Sequence, residues 1–359
     1  MGEPATGAAP PGAARDHHFH PLRVARVVRE TPDASSFVLD VPPSLRQAFA
    51  YRAGQFCTFR ATVDGRQHLR CYSMSSAPEV DDELQVTVKR VPGGAVSNWM
   101  NDALAEGGVI EATCPAGVFV LGDSERDIVA FAGGSGITPV FSLIKAALAL
   151  TARRVHLLYA NRDAGSVIFG DALRTLAERH PGRLRIEGHL DTERGYVTTD
   201  EVRRFMAAAA ADAEYYICGP GPFMALVEAV LVAGGAVPER VHIELFTVPD
   251  DVPAAAPSDA EGEGEGGTIV SVEVEGRSGT APYRPGTTIL QTARQLGLSP
   301  PSSCEAGNCA TCMAKLLEGS VAMRVNNALT DDEVAAGWVL TCQAVPTAPT
   351  VRVVYGYGD

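Results

Sequence analysis

Cys304, Cys309 and Cys312 stand within nine residues, in the stretch CEAGNCATC, and Cys342 follows after a further 29 residues. Thiolates are soft ligands, and a centre of two irons and two sulfides needs four of them. One short loop supplies three from one side, in the spacing C-x4-C-x2-C. Such a loop must aim backbone N–H groups inward at the sulfurs, and Ala306, Gly307, Ala310 and Thr311 are small enough to permit it. A structural zinc site is the alternative, but zinc favours paired C-x2-C knuckles and only one such pair is present. The spacing points to a [2Fe–2S] centre held by Cys304, Cys309, Cys312 and Cys342. That centre takes electrons singly, so it asks for a source.

Four other stretches have the residue types for one. In RCYSMSS, residues 70–76, Arg70 and Tyr72 fall on one face of a strand, offering a guanidinium for phosphate and a flat ring for a heteroaromatic, while Ser73 points elsewhere. The same residues also read as an ordinary exposed strand. In VKRVPGGAVSNWM, Gly93, Gly94 and Ser97 lie where the chain turns into a helix. Free N–H groups and the positive dipole end suit a pyrophosphate there, although Ser97 also reads as a plain N-cap. AGGSGITP, residues 132–139, directly follows the apolar run DIVAF and precedes a helix. It is not G-x-G-x-x-G, yet Gly133, Gly134 and Gly136 meet the same demand for close approach of a dinucleotide, and Thr138 and Pro139 open the helix. ICGPGPFM contributes Cys218, Gly219 and Pro220; Cys218 reads equally well as a core residue.

Those stretches need elements to hold them. The 359 residues suffice for two or three domains. Residues 21–123 carry short β-type runs (RVARVV, SFVLDV, QFCTFRA, LQVTVKRV, VIEATCP), which predict a small antiparallel barrel with Cys57, Cys71 and Cys114 in its strands. From 124 to 248, strands alternate with helices, which predicts a doubly wound parallel sheet. Residues 249–267 are rich in Pro, Gly, Ala and acid, with six carboxylates and no base, and predict a flexible, extended tether. Residues 268–359 read as a hairpin, a helix over TTILQTARQLG and then the cysteine loop. The fold expected is therefore multidomain: antiparallel β-barrel, α/β nucleotide domain and a small α+β domain.

The formal net charge of −13 argues against nucleic acid and against docking on an anionic membrane. Residues 1–20 lack an apolar core and read as a disordered tail in which His17, His18 and His20 are solvated. With closely spaced cysteines, that predicts a cytoplasmic protein.

Together the motifs resemble the ferredoxin–NADP reductase superfamily. Arg70, Tyr72 and Ser73 match its R-x-Y-S flavin signature, Cys218, Gly219 and Pro220 match its C-G-P, and Glu244 and Phe246 in HIELF match its Glu-x-aromatic. Residues 268–359 resemble a plant-type ferredoxin, a β-grasp fold. The order of parts, and stretches such as YANRDAGSVIFGDALRTLAERHPGRL and VNNALTDDEVAAGWVLTCQAVP, resemble reductase components of 3-ketosteroid 9α-hydroxylase, phenylacetyl-CoA epoxidase and related oxygenases. The resemblance implies FAD rather than FMN, held by Arg70, Tyr72, Ser73, Val88, Lys89, Gly94, Val96 and Ser97. It implies NADH at Gly133, Gly134, Gly136, Thr138, Gly219, Pro220 and Phe246, with Ser73, Cys218 and Glu244 at the reacting centre. Asp163 would repel a 2′-phosphate, whereas Arg162 beside it would attract one. The activity implied is an NADH:acceptor oxidoreductase. It passes electrons from NADH through FAD and the cluster to a terminal oxygenase, a protein partner of Rieske type.

Overall fold

The computed structural model describes residues 16–209, 212–246 and 267–356. The expected tail and tether lie largely outside the described residues. Of the three tail histidines, His17 makes a 2.9 Å hydrogen bond to Glu333, and His20 opens the first strand. The chain divides into two units, Phe19–Phe246 and a second holding the remainder.

The first unit begins with strands β1 (His20–Thr31), β2 (Ala34–Asp40), β3 (Phe56–Val63), β4 (Arg66–Ser73), β5 (Leu84–Lys89) and β6 (Val109–Ala112), with helix α1 (Ala95–Ala103) between the last two. The sheet is antiparallel, in the order β4-β3-β6-β1-β2-β5. A bridge from Met74 to Val86 brings the end of β4 back to β5 and closes the barrel. Alternation explains the core: Leu84, Val86 and Val88 of β5 point inward to meet Phe37, Phe59 and Met74, and Val96 and Met100 of α1 plug one end. Cys57 belongs to this core, but Cys71 is half-buried and Cys114 lies just beyond β6.

The nucleotide lobe follows. Its strands are β7 (Ile128–Gly133), β8 (Val155–Asn161), β9 (Leu184–Leu190), β10 (Glu214–Cys218) and β11 (Val241–Glu244). Its helices are α2 (Ile137–Leu150), α3 (Gly170–Arg179), α4 (Asp191–Arg194), α5 (Thr199–Ala207) and α6 (Gly221–Ala233). All strand pairs are parallel, in the order β11-β10-β7-β8-β9. Every residue of β7 is buried, as a central strand covered on both faces requires. The strand order reverses between β7 and β10, and that crevice is where an open α/β sheet takes its ligand.

Within this unit the two lobes share one core. Ala53, Ala77 and Phe119 pack with Ile137, Phe141 and Ile144 of α2. The hydroxyl of Ser142 donates to the Ser76 carbonyl at 2.6 Å and accepts from the Gly54 N–H at 3.2 Å. Lys145 pairs with Asp81 across the same seam. The strand carrying Tyr72 is thereby fixed relative to the glycine loop after β7.

The second unit holds β12 (Ile269–Val274), β13 (Arg277–Pro282), α7 (Ile289–Gln295), β14 (Met313–Glu318), β15 (Val321–Met323), α8 (Asp331–Ala335), β16 (Trp338–Leu340), β17 (Ala344–Pro346) and β18 (Thr350–Val354). Its five-stranded sheet runs β13-β12-β18-β14-β16, with β12 and β18 parallel and the rest antiparallel, and β15 pairs with β17. The expected hairpin forms through Glu275 and Gly276, both at positive φ. The expected helix forms behind a capping box of Thr288 and Gln291. This is a β-grasp. Among the described residues, no helix is long and apolar enough to cross a membrane.

Candidate functional site

Strand β4 presents the first group of predicted residues. In the register with β3, Tyr72 faces Cys57 and Arg70 faces Phe59, so both share the face of Met74. The Tyr72 ring leans on Phe59 with centroids 5.8 Å apart. Burial pushes its phenol up, and the Arg70 guanidinium partly offsets this. Ser73 occupies the other face. It is 2 % exposed, and its hydroxyl has no hydrogen-bond partner. A buried orphan hydroxyl is costly unless something outside the chain satisfies it. That is the mark of a ligand edge, and a flavin ring with its hydrogen-bonding rim fits.

The turn before α1 departs from one alternative read in the sequence. Gly94, not Ser97, is the N-cap, and no side chain caps the helix. The Ser97 hydroxyl instead accepts from the Val91 N–H at 3.1 Å, which stiffens the turn. A side chain on Gly94 would press against Ser97 Oγ at 2.7 Å. The first-turn N–H groups are therefore open, as an anion at this end requires. Val88 and Val96 are buried in the barrel core, so only their backbone groups can face a ligand. The Val88 carbonyl already accepts from Asn101.

Across the seam, Gly133 ends β7, Gly134–Gly136 form a single 3₁₀ turn, and α2 begins at Ile137. Thr138 donates to the Ser135 carbonyl at 3.0 Å. This turn packs directly on the end of β10. A Cβ on Gly136 would sit 2.1 Å from the Cys218 carbonyl oxygen, and one on Gly133 would sit 2.7 Å from Pro220. The glycines are thus required twice, for loop-on-loop packing and for an exposed backbone edge. Gly219 completes the contact, 3.0 Å from the Gly133 nitrogen by the same measure. The cradle fits a dinucleotide at the point of strand reversal.

Cys218 and Glu244 end adjacent parallel strands and are paired in register. Both are buried, and Phe246 beyond them is exposed. Burial pushes the Cys218 thiol well up, with the Glu244 carboxyl adding to the effect. Burial alone pushes Glu244 up to about 8. At neutral pH this corner holds a protonated acid and a thiol, so it carries no net charge.

In the second unit, the four cysteines converge and are all nearly buried. The N–H groups of Ala306 and Asn308 point at Cys304 Sγ, each at 3.4 Å, and the Cys304 N–H points at Cys309 Sγ at 3.5 Å. Backbone strain makes this possible: Glu305, Gly307 and Ala310 all have positive φ. Cys304 is pushed up by hydrogen bonding to Cys309 and by burial, and Cys312 by hydrogen bonding to Cys342 and by burial. Four crowded sulfurs that resist ionising together are what a bound cation relieves, and inward N–H groups are what bridging sulfides accept. The donor set fits a [2Fe–2S] cluster.

Comparison with known proteins agrees part by part. Residues 21–121 match the oxidoreductase FAD-binding domain, 131–229 the oxidoreductase NAD-binding domain, and 272–347 the 2Fe-2S iron-sulfur cluster binding domain. The ferredoxin reductase component of 3-ketosteroid-9-alpha-monooxygenase from Rhodococcus rhodochrous is 39 % identical over 336 residues, covering 92 % of this chain and 95 % of that one. The chain belongs to this family of oxygenase reductases. It is an oxidoreductase of three cofactor domains that transfers electrons toward an oxygenase. A more distant member of the reductase family, a subunit of 1,2-phenylacetyl-CoA epoxidase from Escherichia coli K12, is 33 % identical, covering 93 % of this chain and 97 % of that one. The solved structure of phthalate dioxygenase reductase is 26 % identical with a TM-score of 0.55, covering 94 % of this chain and 98 % of that one.

The structure of this reductase adds residues that sequence reading passed over. Tyr159, buried in β8, has its hydroxyl 3.3 Å from the Gly134 carbonyl and 3.2 Å from that of Ile168, and accepts the Ile168 N–H. It ties the glycine turn to the segment before α3. Arg294 makes a two-pronged ion pair with Glu305 (2.5 and 3.2 Å) and donates to Ser302 Oγ at 2.9 Å, clamping the cysteine loop. Thr341 donates to the Cys312 carbonyl and accepts from Tyr355 at 2.6 Å. No local signal marks these residues, because each gains its role from a distant partner.

Proposed function

We propose that this reductase takes electrons from NADH and supplies a terminal oxygenase of Rieske type, a 3-ketosteroid 9α-hydroxylase. The observation that carries the reading is near end-to-end similarity at 39 % identity to a reductase component of that system. Bound flavin supplies the conversion between paired and single electrons, and a [2Fe–2S] cluster relays them one at a time. The chain's own share is positioning. Arg70 and the open N-terminus of α1 hold phosphates, Tyr72 flanks the ring, and the Ser73 hydroxyl meets its polar rim. Gly133, Gly134, Gly136, Gly219 and Pro220 seat the dinucleotide, with Phe246 at the exposed edge. Neutral Cys218 and Glu244 keep the reacting corner uncharged, and the Glu244 carboxyl can hold a proton there. Cys304, Cys309, Cys312 and Cys342 ligate the cluster.

The division into a barrel over 21–123, a nucleotide domain over 124–248, a tether over 249–267 and a ferredoxin over 268–359 belongs to the proposal, and the three family matches support it. A cytoplasmic location does too, since clustered reduced cysteines suit a reducing compartment. A second reading keeps the machinery and changes the customer to a phenylacetyl-CoA epoxidase, on the 33 % identity to a component of that enzyme.

The test is reconstitution. The purified chain, loaded with iron, sulfide and flavin, is mixed with NADH and each purified terminal oxygenase, and product is counted per NADH consumed. Coupled turnover with the ketosteroid oxygenase is expected. Coupling only to the epoxidase would overturn the assignment of partner. Failure of NADH to bleach either chromophore anaerobically would overturn the reductase reading itself.

A further inference from the structure

We propose that Asp33, in the turn between β1 and β2 of the flavin barrel, makes the dinucleotide site prefer NADH over NADPH. The inference rests on the dinucleotide reading above. It concerns a residue 129 positions before the nucleotide-lobe arginine it controls.

Two cations border the glycine turn. The amine of Lys89, at the end of β5, lies 3.7 Å from where a side chain on Gly134 would begin. Arg162 directly follows β8, the strand beside β7. Left to themselves, these two charges would attract a 2′-phosphate, and the Arg162–Asp163 pair alone favours neither dinucleotide. Asp33 decides between them. One of its carboxylate oxygens lies 3.8 Å from the Lys89 amine and 3.8 Å from an Arg162 guanidinium nitrogen. Its other oxygen accepts from Thr31 Oγ1 at 2.8 Å, and its carbonyl accepts from the Arg90 N–H at 2.7 Å, so the turn is fixed. Arg162 is also held by Asp163 at 2.8 Å, and Asp163 is pinned by its capping box with Ser166. Arg90, the next cation along, is taken by Asp102 at 2.5 Å.

Lys89, Arg162, Asp33 and Asp163 therefore sum to a formal charge of zero. A 2′-phosphate brings about 1.5 to 2 negative charges. It would lose hydration at this rim and meet two carboxylates with no surplus cation to answer them. NADH carries no such group. Asp33→Asn keeps the shape of the turn and the acceptor for Thr31 but leaves a surplus positive charge. For half-exposed charges, the change in discrimination is on the order of threefold to tenfold.

The experiment uses the full chain with flavin bound, and compares wild type, Asp33→Asn, Arg162→Gln and the double variant. The ratio of kcat/KM for NADPH to that for NADH is measured with ferricyanide. Binding of 2′,5′-ADP and 5′-ADP is measured separately by calorimetry. Asp33→Asn is expected to raise the ratio about threefold to tenfold and to tighten 2′,5′-ADP without matching gain for 5′-ADP. Arg162→Gln, an exposed change that leaves the turn intact, is expected to lower the ratio and to cancel most of the gain in the double variant. An unmoved ratio and unmoved 2′,5′-ADP affinity in Asp33→Asn overturn the assignment, as does a ratio that rises with Arg162→Gln. Wild type that oxidises neither dinucleotide overturns the underlying dinucleotide reading as well.

Discussion

Gly136→Ala is the sharpest perturbation of the dinucleotide crevice. Its backbone is ordinary, with φ −61 and ψ −10, so alanine meets no conformational penalty. The whole cost is steric. The added methyl would stand 2.1 Å from the Cys218 carbonyl oxygen and 2.7 Å from the Gly219 nitrogen. Both are backbone atoms of a central strand end, so neither can swing away. A carbon–oxygen contact needs roughly 3.2 Å, so the two loops must part by about 1 Å. Overpacking of this kind costs about 1–3 kcal/mol. For a unit of the size of Phe19–Phe246 that lowers Tm by roughly 2–4 °C per kcal/mol. A displacement of about 1 Å at a reacting centre can also cost on the order of a hundredfold in rate. The assay is NADH-to-ferricyanide turnover with a thermal melt on the same sample, and Gly188→Ala serves as the control. Gly188 lies in β9 with nothing within 4 Å of the added methyl, so its variant should behave as wild type. A Gly136→Ala enzyme with wild-type Tm and wild-type kcat/KM for NADH would refute the packing argument.

Three further outcomes follow from the same geometry. Glu244 is protonated when folded up to about pH 8 but ionised in the unfolded chain above about 4.5, so stability should fall as pH rises between those values. Glu244→Gln should flatten that stretch of the stability–pH curve in urea titrations, and a slope identical to wild type would show that the buried acid is not the cause. Ser73→Ala should leave the flavin-free protein as stable or slightly more so, because its hydroxyl has no partner there, yet weaken flavin binding by about 1 kcal/mol. A large loss of stability without flavin would instead assign that hydroxyl to the fold. Arg294→Gln should strand the Glu305 carboxylate beside Cys304 and speed thermal bleaching of the cluster, at a cost of about 1–3 kcal/mol. Adding Glu305→Gln should recover most of the loss, and no recovery would mean that Arg294 acts by other contacts.

The residues that do chemistry were largely legible because their signals are local. A cluster loop must take three thiolates from nine residues, so Cys304, Cys309 and Cys312 declare themselves by spacing alone. The change from short alternating runs to strand–helix alternation near Asp123 likewise marks the passage from barrel to doubly wound sheet, since period 2 and period 3.6 cannot be confused over such lengths. Capping was less legible. Ser97 looked like a cap, but its hydroxyl turned back to Val91, a choice made by the turn's backbone and not by residue type.

The order of residues along the chain by itself determined which groups exist: four thiols, a strand with a guanidinium and a ring, and a glycine turn after a buried strand. Only the tertiary structure decided which of them meet. Gly136 touches Cys218 because the sheet order reverses between β7 and β10, and Asp33 reaches Arg162 because two lobes share a core. Spacing governs contacts within a turn or two. Beyond that, proximity is set by how strands are ordered and how buried faces pack, and no window of sequence contains both partners.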